Sequence, residues 1–296
     1  MNKLIIVAGP TAVGKTSYAI RLASQLCTEI ISCDSRQFYS ELDIGVARPS
    51  PEQLSAVPHH FIACRSVLNP YNISEYEHDA MEVIQKLFAA HDTVVAVGGS
   101  GLYIDALRQG VSLMPDPTPQ LRSYLQSLPL PEKRSLLCKY DPDYYSRVDL
   151  CNPVRLQRAL EVCLTTGRPY SQVIAEHRPS PRPFEIEIRI LQADSAQLRS
   201  TIDRRVDDMM AAGLVDEVRS ILHLRDLPTL RTVGYRELFP YFDGEITLYQ
   251  AVEQIKLNTW HYARKQITWL RRYQSLVHQS SFSIVHIPTS LPSVEN

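Results

Sequence analysis

One short segment near the amino terminus has the residue types and the spacing of a phosphate-binding loop. It fits the pattern G-x-x-x-x-G-K-[ST], in which backbone N–H groups at a helix N-terminus bind phosphate oxygens. Lys15 supplies a cation, and the hydroxyl of Thr16 is the candidate ligand of Mg²⁺, the expected cofactor. The predicted binding residues for a ligand with a diphosphate group are Gly9, Pro10, Thr11, Ala12, Val13, Gly14, Lys15 and Thr16.

The acidic residue that would complete such a site lies in an unusual place. P-loop hydrolases usually carry a metal-binding aspartate after a later apolar strand. The apolar run at 93–97 ends instead in Gly98-Gly99-Ser100-Gly101, whereas Asp34 directly follows the run at 29–33. This pattern favours group transfer to an acceptor over nucleotide hydrolysis. Asp34 has two possible roles on spacing alone, as a catalytic group or as a helix cap.

Buried strands and helices alternate around these residues. The apolar run at 4–8 ends at Gly9 and is followed by a helical pattern at 17–26, as in a strand–helix crossover. The fold class is therefore α/β, a P-loop NTPase-like parallel sheet flanked by helices, with a smaller α-helical insertion domain. Because the carboxyl ends of parallel strands line the ligand crevice, Asp34, Ser100 and the P-loop are expected to converge.

Two helices have distinct sequence signals. A helix is predicted at 73–91, with Ser74 as its N-cap and Glu77 at the capping-box spacing. A longer helix is predicted from about 249 to 273, with basic residues that indicate either a solvated face or a surface for phosphate contacts. Its helical-period stripe consists of Val252, Ile255, Thr259, Tyr262, Gln266, Leu270 and Tyr273.

Prolines divide the chain. Pro115, Pro117 and Pro119 open a segment rich in helical patterns, and a second proline cluster at 179–183 closes it. Alternating residues at 185–190 then predict a strand that rejoins the sheet. The predicted domains are residues 1–114, the first part of the P-loop core; residues 115–184, a helical insertion; and residues 185–296, the second part of the core with the C-terminal helices.

The composition is that of an ordinary globular chain. The formal net charge is −1, so bulk charge does not indicate a polyanionic partner. No apolar run reaches the roughly 18 residues of a membrane span, and we expect a cytoplasmic protein with no membrane partner that acts as a monomer. The six cysteines are scattered without a C-x-x-C pair, which argues against a disulfide framework or a zinc site.

The ordered set of segments resembles the bacterial tRNA dimethylallyltransferase family, also called tRNA isopentenyltransferases. The resemblance covers nearly the whole chain, and its order is far more specific than the P-loop alone. It is carried by the P-loop and by Ile31 to Tyr39, Asp43-Ile44-Gly45, Ala47-Arg48-Pro49, Pro58-His59-His60, Val97 to Tyr103, Arg158-Ala159-Leu160-Glu161, Met209 to Val218, Val233 to Glu237 and Gln266 to Trp269.

The resemblance implies a prenyl transfer. The family transfers a dimethylallyl group from dimethylallyl diphosphate to N6 of adenosine 37 in tRNAs that read codons beginning with U. By resemblance, Asp34 is the general base and Ser100 assists it, while Lys15 and Arg205 stabilise the departing diphosphate together with Mg²⁺.

The resemblance also implies a tRNA anticodon stem-loop as partner, with the insertion domain near the anticodon stem and the target base out of its stack. The implied tRNA-binding residues are Asp34, Ser35, Arg36, Gln37, Ser100, Arg122, Arg158, Ala159, Leu160, Glu161, Val162, Arg231, Thr232, Val233, Gly234, Tyr235 and Arg236.

The sequence departs from the family pattern at a few positions. Ser100 stands where threonine is usual, and Thr201 where arginine is common. The segment Thr259 to Gln266 is less basic than its family counterpart, which puts the affinity for tRNA in question more than the reaction type.

Three other functions remain open from the sequence. An adenylate isopentenyltransferase would use the same donor with a free nucleotide, and a small-molecule kinase would transfer a phosphoryl group from ATP. An RNA-binding adaptor with an inactive P-loop would need neither Lys15 nor Asp34 for its function.

Overall fold

The computed structural model describes residues 1–111, 114–176, 181–274 and 282–287. The chain forms two compact units, one of residues 1–109 and 182–296 and the other of residues 110–181. The prolines predict a helical insertion at residues 115–184, whereas the second unit spans residues 110–181. Among the described residues, no helix combines the length and the apolarity that crossing a bilayer requires.

The first unit contains a six-stranded sheet in which every pairing is parallel, which confirms the predicted α/β class. The strand order is β3-β2-β4-β1-β5-β6. The alternating segment at 185–190 does rejoin the sheet as the fifth strand. The strands are β1 Lys3–Ala8, β2 Ile30–Ser32, β3 His59–His60, β4 Thr93–Gly98, β5 Glu185–Gln192 and β6 Phe282–His286.

The register of the sheet places three strand ends side by side. β4 lies between β2 and β1, with Val97 opposite Ser32 and Gly98 opposite Ala8. The turns that leave these strands therefore emerge next to one another at one edge. This arrangement brings the P-loop, the segment after β2 and the Gly99–Ser100 turn together.

Helices cover the sheet in the first unit and make up the second. In the first unit, α1 spans Lys15–Gln25, α2 Pro51–Ala56, α3 Ile73–Leu87, α4 Gly101–Gln109, α10 Ser195–Ala211, α11 Leu214–Ser220, α12 Phe239–Phe242 and α13 Leu248–Gln274. In the second unit, α5 spans Pro119–Ser127, α6 Leu130–Tyr140, α7 Pro142–Tyr145, α8 Pro153–Thr166 and α9 Tyr170–Ala175. Short 3₁₀ turns occur at Leu222–Leu224 and Pro228–Leu230.

The start of α3 differs from the sequence prediction. Asn72, not Ser74, is the N-cap, because its side chain accepts hydrogen bonds from the backbone N–H groups of Ser74 and Glu75. Glu75 bonds back to the Asn72 backbone and completes the capping box. The pairs Asn72–Glu75 and Ser74–Glu77 have the same spacing, and the capping box is formed by the first of them.

Alternate residues of the central strands pack into two cores, one on each face of the sheet. Leu4, Ile6 and Ala8 of β1 belong to one core, and Val7 belongs to the other with Val95. A third core in this unit packs α10, α11 and α13 around residues such as Tyr235. A strand buried on both faces must be apolar throughout, which explains the uninterrupted run of β1.

The second unit has a core of its own. Leu125, Leu137, Leu156 and Leu160 are fully buried where α5, α6 and α8 pack together. The buried carboxylate of Asp141 caps α7 and also accepts hydrogen bonds from the backbone and hydroxyl of Ser171 at α9. Leucine packing and one satisfied buried charge thus hold these short helices together.

Candidate active site

The P-loop turns directly from β1 into α1. A Cβ on Gly9 would lie 2.9 Å from Val13 and 3.0 Å from the carbonyl oxygen of Leu191, so only glycine allows this close approach. Gly14 has a φ of 89°, a conformation that favours glycine, and α1 begins at the next residue. The first turn of α1 carries no acidic side chain, so its N-terminal N–H groups suit an anion.

Lys15 is the first residue of α1, and its side chain reaches back to the loop. Its Nζ donates a hydrogen bond to the carbonyl oxygen of Pro10, 2.8 Å away. Burial lowers the pKa of Lys15 to about 8; the carboxylate of Asp34 opposes this shift and the guanidinium of Arg205 adds to it. A diphosphate bound here would favour the charged form of the lysine.

Asp34 begins the turn that follows β2. Its Oδ1 accepts a hydrogen bond from the backbone nitrogen of Arg36 at 3.0 Å. Its other oxygen, Oδ2, makes no hydrogen bond within the described residues. The carboxylate is close enough to Lys15 and Arg205 to oppose the lowering of their pKa values by burial. One oxygen thus caps a local turn, as the simpler interpretation expects, while the other is available to a ligand.

Arg205 reaches the P-loop from α10. It lies on the same face of the helix as the buried residues Ile202 and Val206, which directs it into the protein. Its guanidinium donates a hydrogen bond to the hydroxyl of Thr11 at 3.4 Å. Burial lowers the pKa of Arg205, and the nearby carboxylate of Asp34 opposes this shift. Because the guanidinium is shielded from bulk water, it suits a buried anion.

Ser100 forms the turn between β4 and α4. Its Oγ lies 3.3 Å from both the backbone nitrogen and the hydroxyl of Ser35. Its carbonyl oxygen accepts the N–H groups of Tyr103 and Ile104 at the start of α4. Ser100 therefore joins the end of β4 to the segment that carries Asp34.

A cavity of about 470 Å³ opens in front of these residues, within the first unit. Its walls come from the P-loop, the Asp34 turn, the loop at 45–47, the segment at 231–236, α10 and α13. Of the predicted site residues, the cavity is lined by Thr11, Ala12, Gly14, Lys15, Thr16, Asp34, Ser35, Arg36, Gln37, Arg205, Arg231, Thr232, Val233, Gly234 and Arg236. The cavity thus brings the cationic side chains of Lys15 and Arg205 close to the carboxylate of Asp34.

Five predicted site residues lie behind the cavity wall. Gly9, Pro10 and Val13 are buried within the loop, and the hydroxyl of Ser100 contacts that of Ser35, which does line the cavity. Tyr235 is fully buried and its hydroxyl donates a hydrogen bond to Glu217. These residues shape the wall without being part of it.

Comparison with known protein families identifies the family of this chain. The IPP transferase family model matches residues 37–273 of the chain. This chain belongs to the IPP transferase family.

Several relatives of this family member are similar over nearly their full length. The tRNA dimethylallyltransferase 1 of Bacteroides thetaiotaomicron is 44% identical, with 93% of this chain and 91% of the relative covered. The tRNA dimethylallyltransferase of Christiangramia forsetii is 41% identical, with 92% and 91% covered.

Solved structures are similar as well. The full-length tRNA isopentenylpyrophosphate transferase of Bacillus halodurans aligns with a TM-score of 0.69 and 29% identity, covering 97% of this chain and 90% of that one. A eukaryotic dimethylallyltransferase acting on tRNA aligns with a TM-score of 0.83, covering 97% of this chain and 74% of that one. At its 23% identity the second likeness establishes the fold alone.

Thr16 of the P-loop stays the predicted metal ligand of this IPP transferase. Among the described residues there is no group of three or more His, Cys, Asp or Glu side chains that could hold a metal ion. The Thr16 hydroxyl lines the cavity and has no hydrogen-bond partner in the described part of the chain. A hydroxyl together with the phosphate oxygens of a ligand fits the preference of Mg²⁺ for oxygen donors.

Sequence reasoning did not assign Tyr262 or Gln266 of α13 to the site, and it left the basic residues His261 and Lys265 as either a solvated face or a surface for phosphate contacts. Tyr262, Gln266, His261 and Lys265 all line the cavity. Burial raises the pKa of Tyr262 to about 12, and Asp34 adds to the rise, whereas hydrogen bonds with Ser100 and Gln266 oppose it. The tyrosine ring is partly exposed at the cavity, but its hydroxyl is surrounded by protein. The available signal was the interruption of the apolar stripe by the polar residues Thr259 and Gln266.

The remaining predicted tRNA contacts lie in the second unit. Ala159, Leu160 and Val162 are buried in α8, and Glu161 is buried beside them. The exposed groups are the guanidiniums of Arg158 and Arg122, which pair with Glu161 at 3.4 and 4.0 Å. A contact with nucleic acid here would therefore be made by Arg158 of α8 and Arg122 of α5.

Proposed function

We propose that this enzyme transfers a dimethylallyl group from dimethylallyl diphosphate to N6 of adenosine 37 in tRNAs that read codons beginning with U. The observation that carries the proposal is the shared cavity, in which a diphosphate cradle and the free oxygen of Asp34 face the same space. A cradle without an acceptor-side base would suit binding or hydrolysis instead. The names of the relatives, which are tRNA dimethylallyltransferases, support the same reaction.

The cations of the cavity suit the leaving group. As the C1–O bond of the donor breaks, the diphosphate takes the electron pair and gains negative charge. Lys15 and Arg205 are both poorly solvated, so each is stabilised more by this developing charge than a cation in water would be. Mg²⁺ held by Thr16 and the phosphate oxygens would supply further neutralisation of that charge.

Asp34 suits the acceptor side. The N6 amine of adenine attacks C1 of the donor, forming the N–C bond, and its proton passes to Oδ2 of Asp34. Oδ1 stays bonded to the Arg36 backbone, which holds the carboxylate in one orientation. An adenine within a stacked loop cannot present N6 to a carboxylate inside a cavity, so the base must leave its stack.

Nucleic-acid contacts around the cavity would come from the basic residues at its wall. Arg36, Arg231 and Arg236 line it together with His261 and Lys265 of α13. The guanidinium of Arg36 also donates to the carbonyl oxygen of Thr229 at 2.9 Å, which fixes its position. Such cations favour a polyanionic acceptor over a free nucleoside.

The proposal is tested with purified protein, labelled dimethylallyl diphosphate and Mg²⁺. One reaction contains tRNA that lacks the modification and another contains AMP. We expect label in tRNA, and mass analysis of the anticodon loop should place one dimethylallyl group on adenosine 37. Labelling of AMP alone would support an adenylate isopentenyltransferase instead. Phosphoryl transfer in a separate reaction with labelled ATP in place of the prenyl donor would support a kinase.

A further inference from the structure

The side chain of Gln266 connects two separate segments of the site. Its Oε1 accepts a hydrogen bond from the backbone nitrogen of Thr11 at 2.8 Å, and its Nε2 donates to the carbonyl oxygen of Gly99 at 2.9 Å. Only 6% of the residue is exposed. Both ends of a buried amide are thus satisfied by backbone groups, one from the P-loop and one from the turn after β4.

Each of these backbone groups lies next to a functional side chain. The hydroxyl of Thr11 accepts the hydrogen bond of Arg205, on the diphosphate side. Gly99 precedes Ser100, whose hydroxyl meets Ser35 beside Asp34, on the acceptor side. Hydrogen bonds and the short backbone stretches between them therefore connect the P-loop, through the amide of Gln266, to the segment that carries Asp34.

The amide is closely packed in this position. A Cβ on Gly99 would lie 2.3 Å from Nε2 of Gln266, so the glycine is required for the amide to fit. Tyr262, one helical turn earlier on α13, lies beside Gln266 and lines the same cavity. This close packing leaves the side chain of Gln266 few other conformations.

We propose that Gln266 is a positioning residue that sets the distance between the diphosphate cradle and Asp34. The inference rests on the prenyl transfer proposed above, in which the donor carbon and the attacking nitrogen are held from these two sides. Loss of the bridge would leave each substrate bound but misplaced relative to the other. A misplacement of about 1 Å is able to lower the rate about a hundredfold.

The main variant is Gln266→Met, which has a similar length and shape but makes neither hydrogen bond. The matched control is Gln254→Met, the same substitution at an exposed position of the same helix. The measurements are kcat and KM with unmodified tRNA, the dissociation constant of the donor without tRNA, and the thermal unfolding midpoint.

We expect kcat of Gln266→Met to fall at least about tenfold, because the bridge acts on the relative position of the two substrates. Donor binding should stay within about threefold of wild type, because the N–H groups at the start of α1 and the Lys15 cation remain. Gln254→Met should resemble wild type in every measurement. Gln266→Asn keeps the amide but is one methylene shorter, and we expect a loss of kcat there too, since it cannot span both partners.

Three outcomes would overturn the assignment. Gln266→Met could match Gln254→Met in kcat, it could weaken donor binding while kcat is unchanged, or it could lose activity only by unfolding at the assay temperature. The proposed function is tested separately by the wild type, since a wild-type enzyme that transfers nothing to tRNA would contradict that function and this role with it.

Discussion

The hydroxyl of Ser100 lies 3.3 Å from both the backbone nitrogen and the hydroxyl of Ser35. Ser100 ends the turn after β4, and Ser35 follows Asp34 in the turn after β2. Because β2 and β4 are adjacent strands, this contact holds the Asp34 turn against its neighbour. We therefore expect the hydroxyl at position 100 to affect catalysis through the placement of the Asp34 carboxylate.

Removal of the Ser100 hydroxyl should lower turnover. We expect Ser100→Ala to lose about tenfold in kcat, since a lost hydrogen bond of this kind is worth about 1 to 1.5 kcal/mol. Ser100→Thr keeps the hydroxyl and should stay within about threefold of wild type. Single-turnover transfer of labelled dimethylallyl to tRNA measures both. An Ala variant as active as the Thr variant would show that the Ser35 contact has no catalytic effect.

Neutralisation of Asp34 should separate binding from chemistry. Asp34→Asn keeps an oxygen that accepts the Arg36 N–H but is not a base, so we expect kcat to fall about 10²- to 10⁴-fold. Donor binding should be retained. The control is Asp216→Asn, whose side chain is 78% exposed on α11. Retention of most of the wild-type rate by Asp34→Asn would rule out the general-base role.

Local sequence patterns predicted much of this fold. β1 and β4 are buried on both faces and so give uninterrupted apolar runs, and the P-loop is recognised within eight consecutive residues because its chemistry is local. α13 is long enough for its period to be evident. β3 has only the residues His59–His60, too few for any pattern.

The unpredicted parts depend on contacts between distant segments. Gln266 and Thr11 are 255 positions apart, and nothing in either segment indicates that an amide of one meets a backbone N–H of the other. Tyr262 looked like part of an apolar stripe because the stripe faces the protein, and the cavity lies on that same side. Periodicity identifies the inward face of a helix but does not distinguish a core from a site.

Lys15 should contribute mainly to donor binding. Lys15→Met has a similar length but no charge, and we expect the dissociation constant of dimethylallyl diphosphate to rise at least about tenfold, since hydrogen bonds to charged groups are worth about 1.5 to 3 kcal/mol. The control is Lys86→Met, at a side chain that is 77% exposed on α3. Equilibrium binding without tRNA measures the effect. Unchanged affinity in Lys15→Met would place the diphosphate elsewhere.

His59 should make the stability of the fold depend on pH. Burial lowers the pKa of His59 below its ordinary value of 6.5; a bond with the Val57 carbonyl opposes the shift, and His60 adds to it. Nε2 of His59 is buried and has no hydrogen-bond partner among the described residues, so a proton there would find no acceptor among them. The unfolded chain therefore binds more protons than the folded chain just below pH 6.5. The contribution of His59 to stability is present above that pH and is lost as the pH falls through the folded pKa. The effect is measured by denaturant unfolding over this pH range, with the wild type, His59→Gln and the exposed control His223→Gln. As the pH falls, the free energy of unfolding should fall less steeply in His59→Gln than in the other two proteins. Parallel curves for all three proteins would contradict the assignment.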